Sequence, residues 1–241
     1  MNNELSMNPQ VILVVAAHPD DEVLGCGATI AKYSNLGVPV HCIIATQGIA
    51  SRVGISTQDA EFEIFELKKK SEAAHEVLGI SSTTYLNFPD NRMDSVDLLD
   101  VTQAIESVIS TTKPTHVFTH LDSDVNIDHQ VLHSAVLAAC RPQPGTSIAE
   151  VNYFEIQSSS EWRFGTKAQG FHPNYFEEVT STIAKKMEAL KCYASEMRDF
   201  PHARSYQAVM ALSEWRGATV GFSNAEAFET GRRIVREPRG N

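Results

Sequence analysis

Val11-Ile-Leu-Val-Val-Ala-Ala17-His18-Pro19-Asp20-Asp21-Glu22 is the stretch on which the reading of this chain turns. Its first seven residues are apolar and mostly β-branched, without the polar alternation of a half-solvated strand. Such a run predicts a strand covered on both faces, as in a parallel sheet between two layers of helices. It ends in an imidazole, a proline and three carboxylates within five residues. Unpaired charge is expensive at the end of a buried strand. In an open α/β sheet that end is also where ligands bind, in the crevice where the strand order reverses.

Outward from this strand, helix and strand patterns alternate. A helix is expected over Leu24–Asn35, closed by Gly37, then a strand over Val38–Thr46 and a polar loop over Gln47–Gln58. A long helical pattern, Asp59–Leu78, stops at Gly79; Thr83–Leu86 reads as a short strand and Val96–Ser110 as a helix. Pro114 introduces a strand at Thr115–Thr119, followed by a helix at Ile127–Cys140 and a strand at Val151–Ile156. The alternation predicts an α/β, Rossmann-like, doubly wound and mostly parallel sheet with helices on both faces. Beyond it lie an irregular aromatic-rich segment, Ser158–Tyr175, and two helical stretches, Ser181–Met197 and Arg204–Glu214. With no linker-like composition between them, residues 1–241 read as a single domain. Its core spans about 10–156, and a C-terminal helical subregion, 157–241, packs on the sheet.

Charge narrows the function. Thirty acidic against 20 basic residues give a formal net charge of −10, the opposite of a nucleic-acid or anionic-membrane footprint. The N-terminus carries no basic segment ahead of an apolar one, and Val11–Ala17 is too short to span a bilayer. Four widely spaced cysteines (Cys26, Cys42, Cys140, Cys192) read as reduced thiols. A cytoplasmic protein without nucleic-acid or membrane partners is expected, with homo-oligomerisation left open.

The chemistry of the first strand end is specific. His18 offers a ring nitrogen, and Asp21, three residues on, can curl back to the same point on a tight turn. Zinc prefers about four ligands of this kind, with one position left for water in a catalytic site. Asp20, between the two, is placed to act on that water as a base. The competing reading, a simple helix N-cap by Asp20 or Asp21, accounts for one acid but not for the cluster.

A second loaded strand end follows Thr115–Thr119: His120-Leu-Asp122-Ser-Asp124-Val-Asn126-Ile-Asp128-His129. His129 is the natural third ligand, and Asp128 a carboxylate that orients neighbouring polar groups. Two other readings stand for this segment: ordinary helix capping by Asn126, and a Ca²⁺ loop suggested by the alternating acids. However, counting from Asp122, positions 6 and 12 hold Ile127 and His133 where Gly and Glu belong. Two imidazoles favour zinc over magnesium, one ion per chain.

Ala17-His-Pro-Asp-Asp-Glu22 followed by Asn126-Ile-Asp-His129 resembles the LmbE-like / PIG-L family of zinc-dependent N-acetylglucosaminyl deacetylases. The first motif is highly specific, the second a looser anchor. The resemblance extends weakly over most of the chain, through Phe88-Pro-Asp-Asn-Arg92, Cys140-Arg-Pro142 and Ser195-Glu-Met-Arg198, nearest to members acting on sugars of cell-surface polysaccharides. It implies zinc held by His18, Asp21 and His129, Asp20 as general base and Asp128 as a supporting carboxylate. Family members often carry His where this chain has Asn126. With no histidine there, the proton for the leaving amine is expected from Asp20 itself, with His120 as the rival donor.

Substrate contacts are expected from the other strand-end loops: Arg52, Asp90 and Arg92. Arginine offers a planar fork for phosphate or carboxylate, and aspartate accepts from vicinal hydroxyls. His202 and Arg204 are expected at the pocket rim, Trp162 and Phe164 in the core, and the remaining histidines in structural or surface positions. The reading is hydrolysis of the N-acetyl group of an N-acetylated amino sugar. Two alternatives stand beside it. A metal-dependent phosphoesterase would use the same acidic strand ends. A non-catalytic nucleotide-sugar-binding domain would need a Gly-rich phosphate turn after the first strand, whereas Gly25-Cys-Gly27 comes several residues late.

Overall fold

The computed structural model describes residues 10–48, 57–164 and 170–237. Five strands, β1 (Ile12–Ala16), β2 (Val40–Thr46), β3 (Ser82–Phe88), β4 (His116–His120) and β5 (Glu150–Phe154), lie parallel. Two more, β6 (Tyr175–Glu178) and β7 (Ala225–Arg233), continue the sheet antiparallel. The order is β3-β2-β1-β4-β5-β7-β6. The helices are α1 (Asp21–Asn35), α2 (Thr57–Leu78), α3 (Leu98–Thr112), α4 (Ile127–Ala139), α5 (Ile183–Cys192) and α6 (Tyr206–Ala218).

Strand β1 organises the interior. Successive side chains point to opposite faces, so Ile12, Val14 and Ala16 enter one core with α1, α2 and α5. Leu13, Val15 and Ala17 enter the other, with residues of α3 and α4. None of the six is more than 2% exposed, which is the double burial that the apolar run predicts. The chain winds from β1 to β2 and β3 on one side and returns to place β4 on the other. With Val15 opposite Thr119, the acidic ends of β1 and β4 emerge side by side at this reversal.

The doubly wound α/β fold is borne out; the C-terminal part is richer than expected. Besides two helices it supplies β6 and β7, which extend the same sheet. Their sequences, Tyr175-Phe-Glu-Glu178 and Ala225-Glu-Ala-Phe-Glu-Thr-Gly-Arg-Arg233, place glutamates at buried positions, so they carry no strand-like apolar pattern. Those charges find partners. Glu226 accepts from the amides of Ala28 and Thr29 and from Lys186 Nζ at 2.7 Å; Glu177 accepts from Lys32 and Tyr33.

Helix α1 starts earlier than expected and breaks at Cys26, whose φ is −149°. The free backbone groups at the break are met by Lys186, donating to Leu24 O at 2.7 Å, and by the Glu226 carboxylate. The break also lets Gly25 pass close to β5: a Cβ there would sit 2.5 Å from the buried Phe154 ring. Gly25-Cys-Gly27 thus serves helix–sheet packing rather than phosphate binding. Gly25→Ala is expected to destabilise the protein by about 1–3 kcal/mol, seen as a Tm lower by roughly 2–4 °C per kcal/mol. An unchanged Tm would show that the Phe154 ring yields instead.

Candidate metal centre and active site

The turn after β1 is pinned from both sides. Ala17 N–H donates to His120 Nε2 at 2.9 Å, and Thr46 N–H and Oγ1 donate to Ala17 O at 2.9 and 3.0 Å. Asp21 then folds back onto His18: its Oδ2 lies 3.0 Å from His18 N and 3.0 Å from His18 Nδ1. His129, from the first turn of α4, brings Nε2 to 3.2 Å from Asp21 Oδ2 and 3.3 Å from His18 Nδ1.

Three ligand atoms thus stand 3.0–3.3 Å apart. Donors about 2.0–2.2 Å from a tetrahedral zinc ion are separated by about 3.3–3.6 Å. A second observation agrees: Asp21 Oδ1 is buried and has no hydrogen-bond partner among the described residues, a carboxylate oxygen that a cation would satisfy. The residues fit a metal ion.

The outer nitrogens of both imidazoles meet carboxylates, which orients the rings. His18 Nε2 lies 3.0 Å from Asp128 Oδ2 and 3.3 Å from Asp90 Oδ1. Asp128 is held in turn by the amides of Asn91, at 2.6 Å, and Met93, at 3.0 Å. His18, Asp90 and Asp128 also converge closely enough to hold an ion. With both Asp128 oxygens engaged by amides, this group reads as the support of His18. His129 Nδ1 makes an ionic contact of 3.1 Å with Asp124, although the angle is too poor for an aligned hydrogen bond.

Electrostatics follow from this crowding. Burial opposes ionisation of Asp21, but His129 and His18 outweigh it and hold the carboxyl well below its usual range. Burial works against a charged His18 as well, yet Asp128, Asp21 and Asp90 raise its pKa well above normal. Asp124 sits at about 2: burial pushes it up, and His129, Ser159 and the Asn126 amide pull it down further.

Asp20 occupies the N-cap position of α1 but makes no side-chain capping bond. Its carboxylate faces a cavity of about 210 Å³ shared with His18, Asp90, Asn91, Asn126 and Arg204. Arg204 Nη1 donates to Asp20 Oδ2 at 2.9 Å, and Arg204 Nε to Ser158 Oγ at 3.1 Å. Burial pushes the Asp20 carboxyl up to about 8, against the pull of Arg204.

The structure therefore brings His18, Asp20, Asp21, Asp90, Asn126, Asp128 and His129 together. Asn126 is the N-cap of α4, its Oδ1 accepting from Asp128 N at 2.8 Å while Nδ2 reaches Asn91. Other expected residues stand apart. His120 is fully buried behind the centre, stacked on His129 with ring centroids 3.8 Å apart, and its Nε2 is engaged by Ala17. Burial and His129 hold its pKa well below normal, and it is not among the residues that line the cavity. Arg92 is exposed and does not line the cavity, and Arg52 lies outside the described residues. Trp162 and Phe164, expected in the core, are 43% and 84% exposed.

Sequence reading assigned no such partnership to two contributors. Asp124 lies five positions before His129 on the same loop, a spacing that could have flagged it. Arg204 reaches Asp20 across 184 positions, which no local pattern carries.

Fold and site together define an α/β protein with a candidate metal centre at the carboxyl ends of its parallel strands. The chain belongs to the PIG-L family: the family pattern, described as GlcNAc-PI de-N-acetylase, matches residues 13–140. It is 30% identical over 190 residues to the "uncharacterized deacetylase YaiS" of Escherichia coli (strain K12), covering 76% of this chain and 90% of that protein. It is 27% identical over 210 residues to a "probable N-acetyl-alpha-D-glucosaminyl L-malate deacetylase 2" of Bacillus cereus, covering 85% and 93%. The fold is shared with the N,N'-diacetylchitobiose deacetylase of Pyrococcus horikoshii (TM-score 0.73, 19% identity, 92% and 84% covered). It is shared equally with GalB, the 4-carboxy-2-hydroxymuconate hydratase of Pseudomonas putida KT2440 (TM-score 0.73, 21% identity, 96% and 100% covered).

His129→Ala is expected to cut bound metal far below one equivalent while the circular dichroism spectrum stays native. Elemental analysis checks it; undiminished metal would remove His129 from the ligand set.

Proposed function

We propose that this protein hydrolyses the N-acetyl group of an N-acetylated amino sugar, releasing acetate and a free amine, with one zinc ion per chain. The observation that carries the reading is the convergence of His18 Nδ1, Asp21 Oδ2 and His129 Nε2 beside a cavity that Asp20 also faces. Family membership supports the reaction, and the Bacillus relative's printed activity supports a glucosamine-type substrate. Because the fold also serves a hydratase, the reaction is argued from the site. The 1–241 chain is read as one catalytic unit, supported by the single sheet that its C-terminal strands complete. No helix among the described residues is long and apolar enough to cross a membrane. Four unpaired cysteines support a reducing compartment such as the cytoplasm.

His18, Asp21 and His129 would hold the ion, which when bound supplies a Lewis acid for the acetamide carbonyl and lowers the pKa of water. Asp20 takes the proton of the attacking water and returns it to the departing nitrogen, since an amide anion is a very poor leaving group. His120 is not retained as the donor, because it is buried behind His129. Asn126 Nδ2 and Arg204 offer hydrogen bonds to substrate oxygens at the cavity wall. Asp128, Asp90 and Asp124 orient the imidazoles.

Acetate release from N-acetylglucosamine, its nucleotide-linked forms and its glycosides tests the reading against phosphate release from sugar phosphates. Phosphate without acetate would replace it with a phosphoesterase. Asp20→Asn is expected to keep metal and lose about 10²–10⁴-fold in turnover; loss of metal instead would make Asp20 a ligand.

Asp20 must be ionised to act, so kcat/KM rises with pH through its pKa. Arg204 favours the ionised form. In Arg204→Gln the acid limb of the pH profile therefore moves to higher pH. An unmoved limb would assign that limb to another group.

A further inference from the structure

Glu22 ends the His18–Glu22 run and has no part in the metal set or the proton transfer. It is fully buried, and its two oxygens face different partners. Oε2 accepts the backbone N–H of Asp20 at 3.0 Å. Oε1 accepts from Tyr193 Oη at 2.8 Å and lies 3.1 Å from His75 Nε2. His75 Nδ1 in turn lies 2.8 Å from Thr83 Oγ1, so with that hydroxyl donating, Nε2 carries the proton that Glu22 accepts. A polar chain thus runs from β3 and α2, with Tyr193 joining just past α5, through Glu22 to the amide of Asp20.

Packing alone does not call for this arrangement. A buried ionic group is commonly replaceable by an apolar one of similar volume without loss of stability. What the chain does fix is local geometry. Asp20 has φ 110° and ψ −28°, a conformation that residues with a Cβ avoid and hold only where their surroundings leave no alternative. The Asp20 N–H to Glu22 bond depends on that peptide orientation. So do the bonds from Val23 and Leu24 N–H to Asp20 O, at 3.0 and 2.9 Å. The same orientation aims the Asp20 carboxylate into the cavity, where Arg204 meets it.

We propose that Glu22, anchored by Tyr193 and His75, is a positioning residue that holds the Asp20 backbone in its left-handed conformation and so sets where the base points. The role rests on Asp20 being the base. Glu22 itself touches no substrate and works through Asp20, which makes its effect conditional on Asp20.

The test combines Glu22→Gln and Tyr193→Phe with Asp20→Asn, measuring kcat, KM, metal content and Tm for each protein. Glu22→Gln is expected to keep metal and KM near wild type and to lower kcat roughly 10–100-fold, the usual scale for a group supporting a reactive one. Tyr193→Phe leaves the carboxylate in place, shows the same pattern more weakly, and keeps the test open if Glu22→Gln does not fold. In the Asp20→Asn background neither change lowers the residual rate further, because no base remains to be positioned. Losses that add to that of Asp20→Asn, that fall on KM or metal content, or that are absent from kcat altogether would overturn the positioning role. Wild-type turnover in Asp20→Asn itself would instead sink the base assignment, and the positioning role with it.

Discussion

Buried negative charge at the carboxyl ends of β1 and β4 is the constraint to which the surrounding elements answer. Asp20, Asp21, Asp90, Asp124 and Asp128 crowd there, none more than 3% exposed. Carboxylates survive such burial only when donors or cations surround them. The donors come from many directions: the amides of Asn91 and Met93 after β3, the hydroxyls of Ser159 and Ser160 after β5, and Arg204 after α5. Even so, Asp21 Oδ1 has no hydrogen-bond partner among the described residues. Among the described residues no cation or donor meets that oxygen, which is the physical case for a bound metal ion.

The same treatment of charge recurs away from the cavity and explains what the C-terminal third contributes. Lys186 of α5 and Glu226 of β7 meet at 2.7 Å in the core and between them satisfy both sides of the break in α1. Glu177 of β6 does likewise for Lys32 and Tyr33 of α1. These bonds seat α5 on α1 and add β7 and β6 to the sheet. With α5 so placed, the loop behind it carries Arg204 to Asp20, and Tyr193 reaches Glu22. The site at the ends of β1 and β4 is thereby completed by residues from the C-terminal part of the chain.

The spacing of His18 and Asp21 on a tight turn and the unbroken apolar run of a strand are short-range properties, and both were legible. Seven apolar residues before His18 have the pattern of a strand buried on two faces. His18 and Asp21, three apart, could meet only by folding back on each other. His129 followed from the second acidic strand end once the two strands were neighbours.

Sequence by itself thus determined the parallel α/β core and pointed to the strand end at which His18, Asp21 and His129 converge. Tertiary structure alone decided which groups surround them. Arg204 is paired with Asp20, His75 and Tyr193 with Glu22, and Ser159 and Ser160 with Asp124. It also decided that His120 lies behind the centre, and that glutamate-bearing segments become β6 and β7. The reason is common to all of these. A buried charge is tolerated according to its partners, and partners such as Glu226 and Thr29 stand 197 positions apart. No window of sequence contains both, so only the folded chain can show that such a position is buried at all.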